Sequence, residues 1–114
     1  DLMANKEMMR QLYERMVAEQ QKYKAWLLEQ PPNVILDNTC KFTVREDIVM
    51  ELEVLELTDA QAAALLRSRT PLADVYKAWQ QAETNHMNDV RDVIEARANA
   101  IIQAEKEKGQ REER

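Results

Sequence analysis

From Leu72 to Lys108 the chain runs without a glycine or proline. That uninterrupted stretch limits the fold more than any motif does, because those two residues are the strongest markers of turns. Thr70-Pro71-Leu72-Ala73-Asp74 opens it as a helix start. Thr70 can cap, Pro71 suits the first helical position, and Asp74 complements the positive end of the dipole. Leu72, Val75, Tyr76, Trp79, Ala82, Val90, Val93, Ile94 and Ile101 then recur at helical spacing with a nearly heptad drift. A helix over residues 70–108 would be on the order of 55 Å long, more than a small monomer covers alone. A scaffold or assembly surface is expected there.

Composition points the same way. The chain has 114 residues, with one glycine and three prolines. One domain over residues 1–114 is the expectation, with residues 1–4 and 109–114 frayed. The abundant residues are helix formers. A formal net charge of −5 keeps such a chain in solution and gives no general reason to approach DNA or an acidic membrane. The lone Cys40 excludes an internal disulfide and a multi-thiolate metal site. No stretch is apolar for long enough to span a bilayer, and no secretory leader is recognised. A cytoplasmic location is expected. Met3-Ala4-Asn5-Lys6 reads as a natural start, which would set Asp1-Leu2 apart as a cloning remnant.

Taken in order, the first helix is expected over residues 5–29, with Asn5 as its cap and Glu7 in its first turn. Met9, Leu12, Tyr13, Met16, Val17, Tyr23, Trp26 and Leu27 form its apolar stripe. Gln30-Pro31-Pro32 ends it, because a residue before proline is pushed out of the α region. Residues 32–37 can form one turn that plugs the core, and Asn38-Thr39-Cys40-Lys41 reads as a loop. Thr43-Val44-Arg45-Glu46 has the capping-box pattern. The helix it predicts carries Val44, Ile48, Val49, Leu52 and Leu55, although Met50 to Val54 also alternates like a strand. Thr58-Asp59-Ala60-Gln61 predicts a further short helix that buries Ala63, Leu65 and Leu66 and stops near Arg67-Ser68-Arg69. The polar tail from Glu105 should fray. The fold class expected is all-α: a small bundle of about five helices, long at both ends with three short ones between.

Chemistry is harder to find. Residues 57–79 superficially look like a helix-turn-helix. DNA reading would need basic or amide side chains at the start of its second helix. Leu72, Ala73, Asp74 and Lys77 stand there, with Arg67 and Arg69 nearby, so an ordinary helical corner is favoured. Glu83-Thr84-Asn85-His86 has the Glu-x-x-His spacing of di-metal bundles. With a single histidine, only a symmetric dimer could complete such a site, and no metal or other cofactor is expected. Nothing local supports a Cys40–His86 pair, and one glycine rules out a glycine-rich phosphate loop. Glu51, Glu53 and Glu56, like Asp89, Asp92 and Glu95, read as solvated faces. Trp26 and Trp79 read as core anchors. No enzyme activity is expected.

Three blocks carry a resemblance. They are Lys22-Tyr23-Lys24-Ala25-Trp26-Leu27-Leu28-Glu29-Gln30-Pro31-Pro32, then Phe42-Thr43-Val44-Arg45-Glu46-Asp47-Ile48, then Ala63-Ala64-Leu65-Leu66 running on to Thr70-Pro71-Leu72-Ala73-Asp74-Val75. Together they resemble a family of domains of unknown function from Gram-positive gut bacteria, associated with conjugative or integrative elements. His86-Met87 and Arg91-Asp92 continue the match. The resemblance implies a cytosolic accessory module of mobile DNA. It carries no site residues.

The function expected is therefore a non-catalytic protein-interaction or oligomerisation module. Its partner-binding residues would be Val90, Val93, Ile94, Arg97, Ile101 and Ile102. Their stripe extends past the reach of the first helix and needs a partner helix. A homodimer through the C-terminal helix is the simplest solution, another protein the next. Nucleic acid is possible but not favoured, and no membrane is expected. The alternatives are a helix-turn-helix-like nucleic-acid-binding regulator and an acidic inhibitor of a host defence protein.

Overall fold

The computed structural model describes residues 2–82 and 86–112, with side chains from 3 to 82 and from 90 to 111. Those residues form six α-helices and no strand, so the protein is all-α. The helices are α1 (Leu2–Leu28), α2 (Pro32–Asp37), α3 (Thr39–Leu52), α4 (Asp59–Leu66), α5 (Pro71–Ala82) and α6 (His86–Glu112). They fall into two compact units, residues 1–80 and 81–114.

In the first unit α1 is the element against which α3 and α4 pack. Its stripe supplies the fully buried Leu12 and Met16, which meet Val49 and Leu52 from α3 and Leu72 from α5. Met9, Tyr13, Val17, Ile48, Leu57, Leu65, Leu66 and Val75 pack around that centre. Fully burying one such aliphatic side chain stabilises by about 1.5–3 kcal/mol. In α4 it is Ala62 that is buried; Ala63, Leu65 and Leu66 are half-buried.

The Leu12-Met16 line continues to a polar residue. Gln20 is 4% exposed and faces Arg45 of α3, 6% exposed. Arg45 Nε donates to Gln20 Oε1 at 3.0 Å, and Gln20 Nε2 donates to the Phe42 carbonyl and to Glu46 Oε1, each at 3.1 Å. A buried guanidinium costs desolvation energy unless it is bonded. Here the amide and the Tyr23 ring, 4.7 Å from the guanidinium, provide the compensation.

Several boundaries differ from the sequence expectation. α1 begins at Leu2 rather than Asn5. Asn5 does not cap it: its Nδ2 donates to the Leu57 carbonyl at 3.1 Å and to Asp59 Oδ1 at 2.6 Å, tying α1 to the start of α4. The stretch from Asn38 to Lys41 is not a loop. Asn38 closes α2 through its backbone N–H and opens α3 directly. Thr43 is therefore interior to α3, and its hydroxyl donates to the Thr39 carbonyl at 3.0 Å instead of forming a capping box. α3 stops at Leu52, so Leu55 lies outside it in the connection to α4. At Thr58 the capping box is present, with Gln61 N donating to Thr58 Oγ1 at 3.1 Å and Thr58 N to Gln61 Oε1 at 2.9 Å.

The long C-terminal stretch is found as α5 and α6, and residues 83–85, on which its continuity turns, lie outside the described residues. α6 passes through Gly109 to Glu112, so the polar tail is helical there. Its Glu, Lys, Gln and Arg residues are all good helix formers.

Candidate functional site

α6 is a unit of helix with an amphipathic sequence. At about 100° per residue, Val90, Ile94, Arg97 and Ile101 fall on one line along it, Val93 stands about 60° to one side, and Ile102 lies about 120° away on the other. All six side chains are exposed, Val93 at 69% and Ile94 at 63%. A shallow hollow of about 300 Å³ lies on this helix, lined by Val90, Arg91, Ile94 and Glu95. Of the six residues expected from the sequence, Val90, Val93, Ile94, Arg97 and Ile101 share one face of the helix, and Ile102 points half a turn away from Val93. Arg97 falls in the line, not at its edge, so a cation interrupts the apolar stripe at its centre.

The corner between α4 and α5 has the helix-turn-helix outline, but its second helix starts facing inward. Pro71 and Leu72 are buried. The backbone N–H groups of Leu72 and Ala73 donate to Glu19 Oε1 and Oε2, at 2.8 and 3.2 Å. Glu19, not Thr70, supplies the acceptors at the positive end of α5. Asp74 accepts from the Ser68 hydroxyl, and the Thr70 N–H donates to Ser68 Oγ at 3.0 Å. Arg15 Nη1 donates to the carbonyls of Leu66 and Ser68, at 2.7 and 3.2 Å. Two carboxylates thus stand where a recognition helix would need to accept phosphate, which weighs against DNA reading.

Aromatic side chains gather at another place on the first unit. Tyr23 stacks on Trp26 at 5.9 Å and Tyr76 on Trp79 at 6.0 Å between ring centroids. The Lys41 ammonium lies over both tyrosines, 5.1 Å from Tyr23 and 5.6 Å from Tyr76. Lys41 and Arg45 of α3 therefore join α1 and α5 through the ring faces. Burial pushes the Tyr23 and Tyr76 phenols above the usual tyrosine range. Trp26 is not a core anchor: it is 47% exposed. Trp79 is half-buried. Cys40 is exposed, while the His86 side chain, and with it the Glu-x-x-His motif, lies outside the described residues.

An open groove of about 670 Å³ lies beside the connection between α3 and α4, with Glu53, Glu56 and Asp59 along it. Glu53 and Glu56, expected on a solvated face, are exposed, and they stand along this open groove. The cue present in the sequence is the alternation of apolar and acidic residues from Met50 to Leu57. Among the described residues no group of three or more His, Cys, Asp or Glu comes together as a metal site, and no helix is long and apolar enough to cross a membrane.

No curated protein and no solved structure matches the chain. Residues 8–102 match a family model described as Protein of unknown function (DUF3848), a span that takes in α2 to α5 whole and most of α1 and α6, and the chain belongs to that family.

Proposed function

We propose that this chain is a non-catalytic protein-interaction and oligomerisation module that assembles as a homodimer through the α6 stripe. Its setting would be the cytoplasm, as an accessory protein of a mobile genetic element, in keeping with the resemblance of its sequence blocks. The observation that carries the proposal is the exposed line Val90, Ile94, Ile101 on a helix that forms a unit by itself. A single helix cannot bury its own stripe, and contiguous exposed apolar surface of this kind marks interaction sites. Pairing two stripes about a twofold axis buries the same residues on both copies and closes the assembly. Arg91, about 100° round from Val90, would stand beside that pairing.

Light scattering over a dilution series tests this directly. The natural sequence is expected to dimerise, and Val93→Asp to shift it to monomer without changing its helix content. A monomer at every concentration, together with unchanged behaviour of Val93→Asp, would sink the proposal.

A further inference from the structure

We infer that the groove beside the connection between α3 and α4 is a docking site for a basic amphipathic helix of another protein. It is carried by a different surface from the α6 stripe and stands or falls without it. The groove has an apolar floor of Met9, Leu52, Leu55 and Leu57. Leu55, on that floor, is 43% exposed. A second hollow of about 280 Å³ shares Leu52, Leu55 and Leu57 and reaches inward to Met16 and Val75. Its lining is apolar apart from Glu51, and it has the size to take a large side chain from an incoming helix. Buried pockets of that kind hold the anchor residues that dominate interface energetics.

Charge decides what kind of helix fits. Residues 46–59 carry Glu46, Asp47, Glu51, Glu53, Glu56 and Asp59 and no lysine or arginine. Three of those carboxylates line the groove, where, among the described residues, Lys6 is the one cation. Glu53 accepts from the Tyr13 hydroxyl at 2.7 Å and Asp59 from Asn5 Nδ2, so both are held in place. Among the described residues nothing pairs with the Glu56 carboxylate. An apolar floor with an acidic rim complements an apolar stripe flanked by lysine or arginine, and it repels an acidic one. This chain's own α6 lacks that charge: six acidic residues stand against five basic ones between His86 and Glu112.

The test uses two synthetic amphipathic peptides with the same leucine stripe, one flanked by lysine and one by glutamate, titrated into the full chain. Calorimetry measures affinity, and amide NMR shifts locate the contact. The lysine peptide is expected to bind, to shift Leu52, Leu55 and Leu57, and to weaken as salt is added. Glu53→Gln with Glu56→Gln should weaken it about tenfold, the effect of removing two exposed ion pairs. Glu56→Lys, at a side chain with no partner to lose, should do the same if the double variant folds poorly. Equal binding of the glutamate peptide, affinity unchanged by these substitutions, or shifts confined to other surfaces would overturn the inference. So would a peptide of residues 86–112 that takes the groove as tightly, because the occupant would then be a second copy of this chain.

Discussion

Glu19 holds the start of α5 from 53 residues away along the sequence. A carboxylate that accepts from two successive amides at a helix N-terminus satisfies orphan donors and meets the positive end of the dipole. Glu19→Ala should therefore destabilise the fold by about 1–2 kcal/mol, within the range of lost caps, as read from urea melts. Thr70→Ala should cost much less, because the Thr70 position contributes its backbone to the turn. Nothing near Thr70 in the chain announces this, since local capping rules see only a few neighbours. The same holds for Gln20 and Arg45, whose burial depends on α1 and α3 facing each other. Among the tyrosines the direction is uniform although the causes differ. Tyr13, held by the Glu53 carboxylate, and Tyr23 and Tyr76, desolvated by burial, are all raised above the ordinary value of 10.0. Folding thus favours the protonated phenol. The stability that goes with it is fully present below the unfolded value and is lost as pH climbs through the folded values. An alkaline absorbance titration should show the native phenolate midpoint above that of the urea-denatured chain. Coincident midpoints would remove the shift.

At the level of elements, Thr58 and Thr43 make a useful pair. Both begin a Thr-x-x-Glu/Gln pattern, and only the one at Thr58 caps a helix. The difference lies upstream. Before Thr58 the chain leaves α3 at Leu52, and Asn5 pins the Leu57 carbonyl, so an extended residue is in place to start α4. Before Thr43 the helix is already running, because Asn38 passes α2 into α3 with one residue between them. Thr58→Ala should cost about 1 kcal/mol, while Thr43→Val should stay within about 0.5 kcal/mol of the natural chain. Equal losses in thermal melts would contradict the assignment. Helix type was legible here because the apolar period and the scarcity of glycine leave little else. Helix ends were less so, because they depend on contacts such as Asn5 with Leu57 that join distant parts of the chain. The groove was hidden for the same reason: its acidic residues are exposed as a solvated face would be, and the other wall comes from Asn5 and Met9 of α1.

For the molecule as a whole, the all-α class and the α6 stripe could be read from periodicity alone, and the placement of Arg97 within the stripe follows from the same angles. That cation is the most informative feature of the proposed assembly. In a parallel α6 pair it meets its own copy across the seam. A polar residue at one seam position fixes register and oligomer state at a cost in stability. Arg97→Leu should therefore tighten self-association and raise the melting temperature at a given concentration, while relaxing the choice between dimers and larger assemblies. Val93→Asp acts in the opposite sense by placing a carboxylate in the apolar flank. Sedimentation equilibrium on the natural chain and both variants separates the possibilities. Tighter association of Arg97→Leu with loss in Val93→Asp places the Val90–Arg97–Ile101 line in the seam. Loss in Val93→Asp with no gain in Arg97→Leu would put the contact on the Val93 flank, with the guanidinium turned to solvent. Indifference to both would mean that α6 does not hold two copies together, and the stripe would then have to be read as the docking face for a different protein.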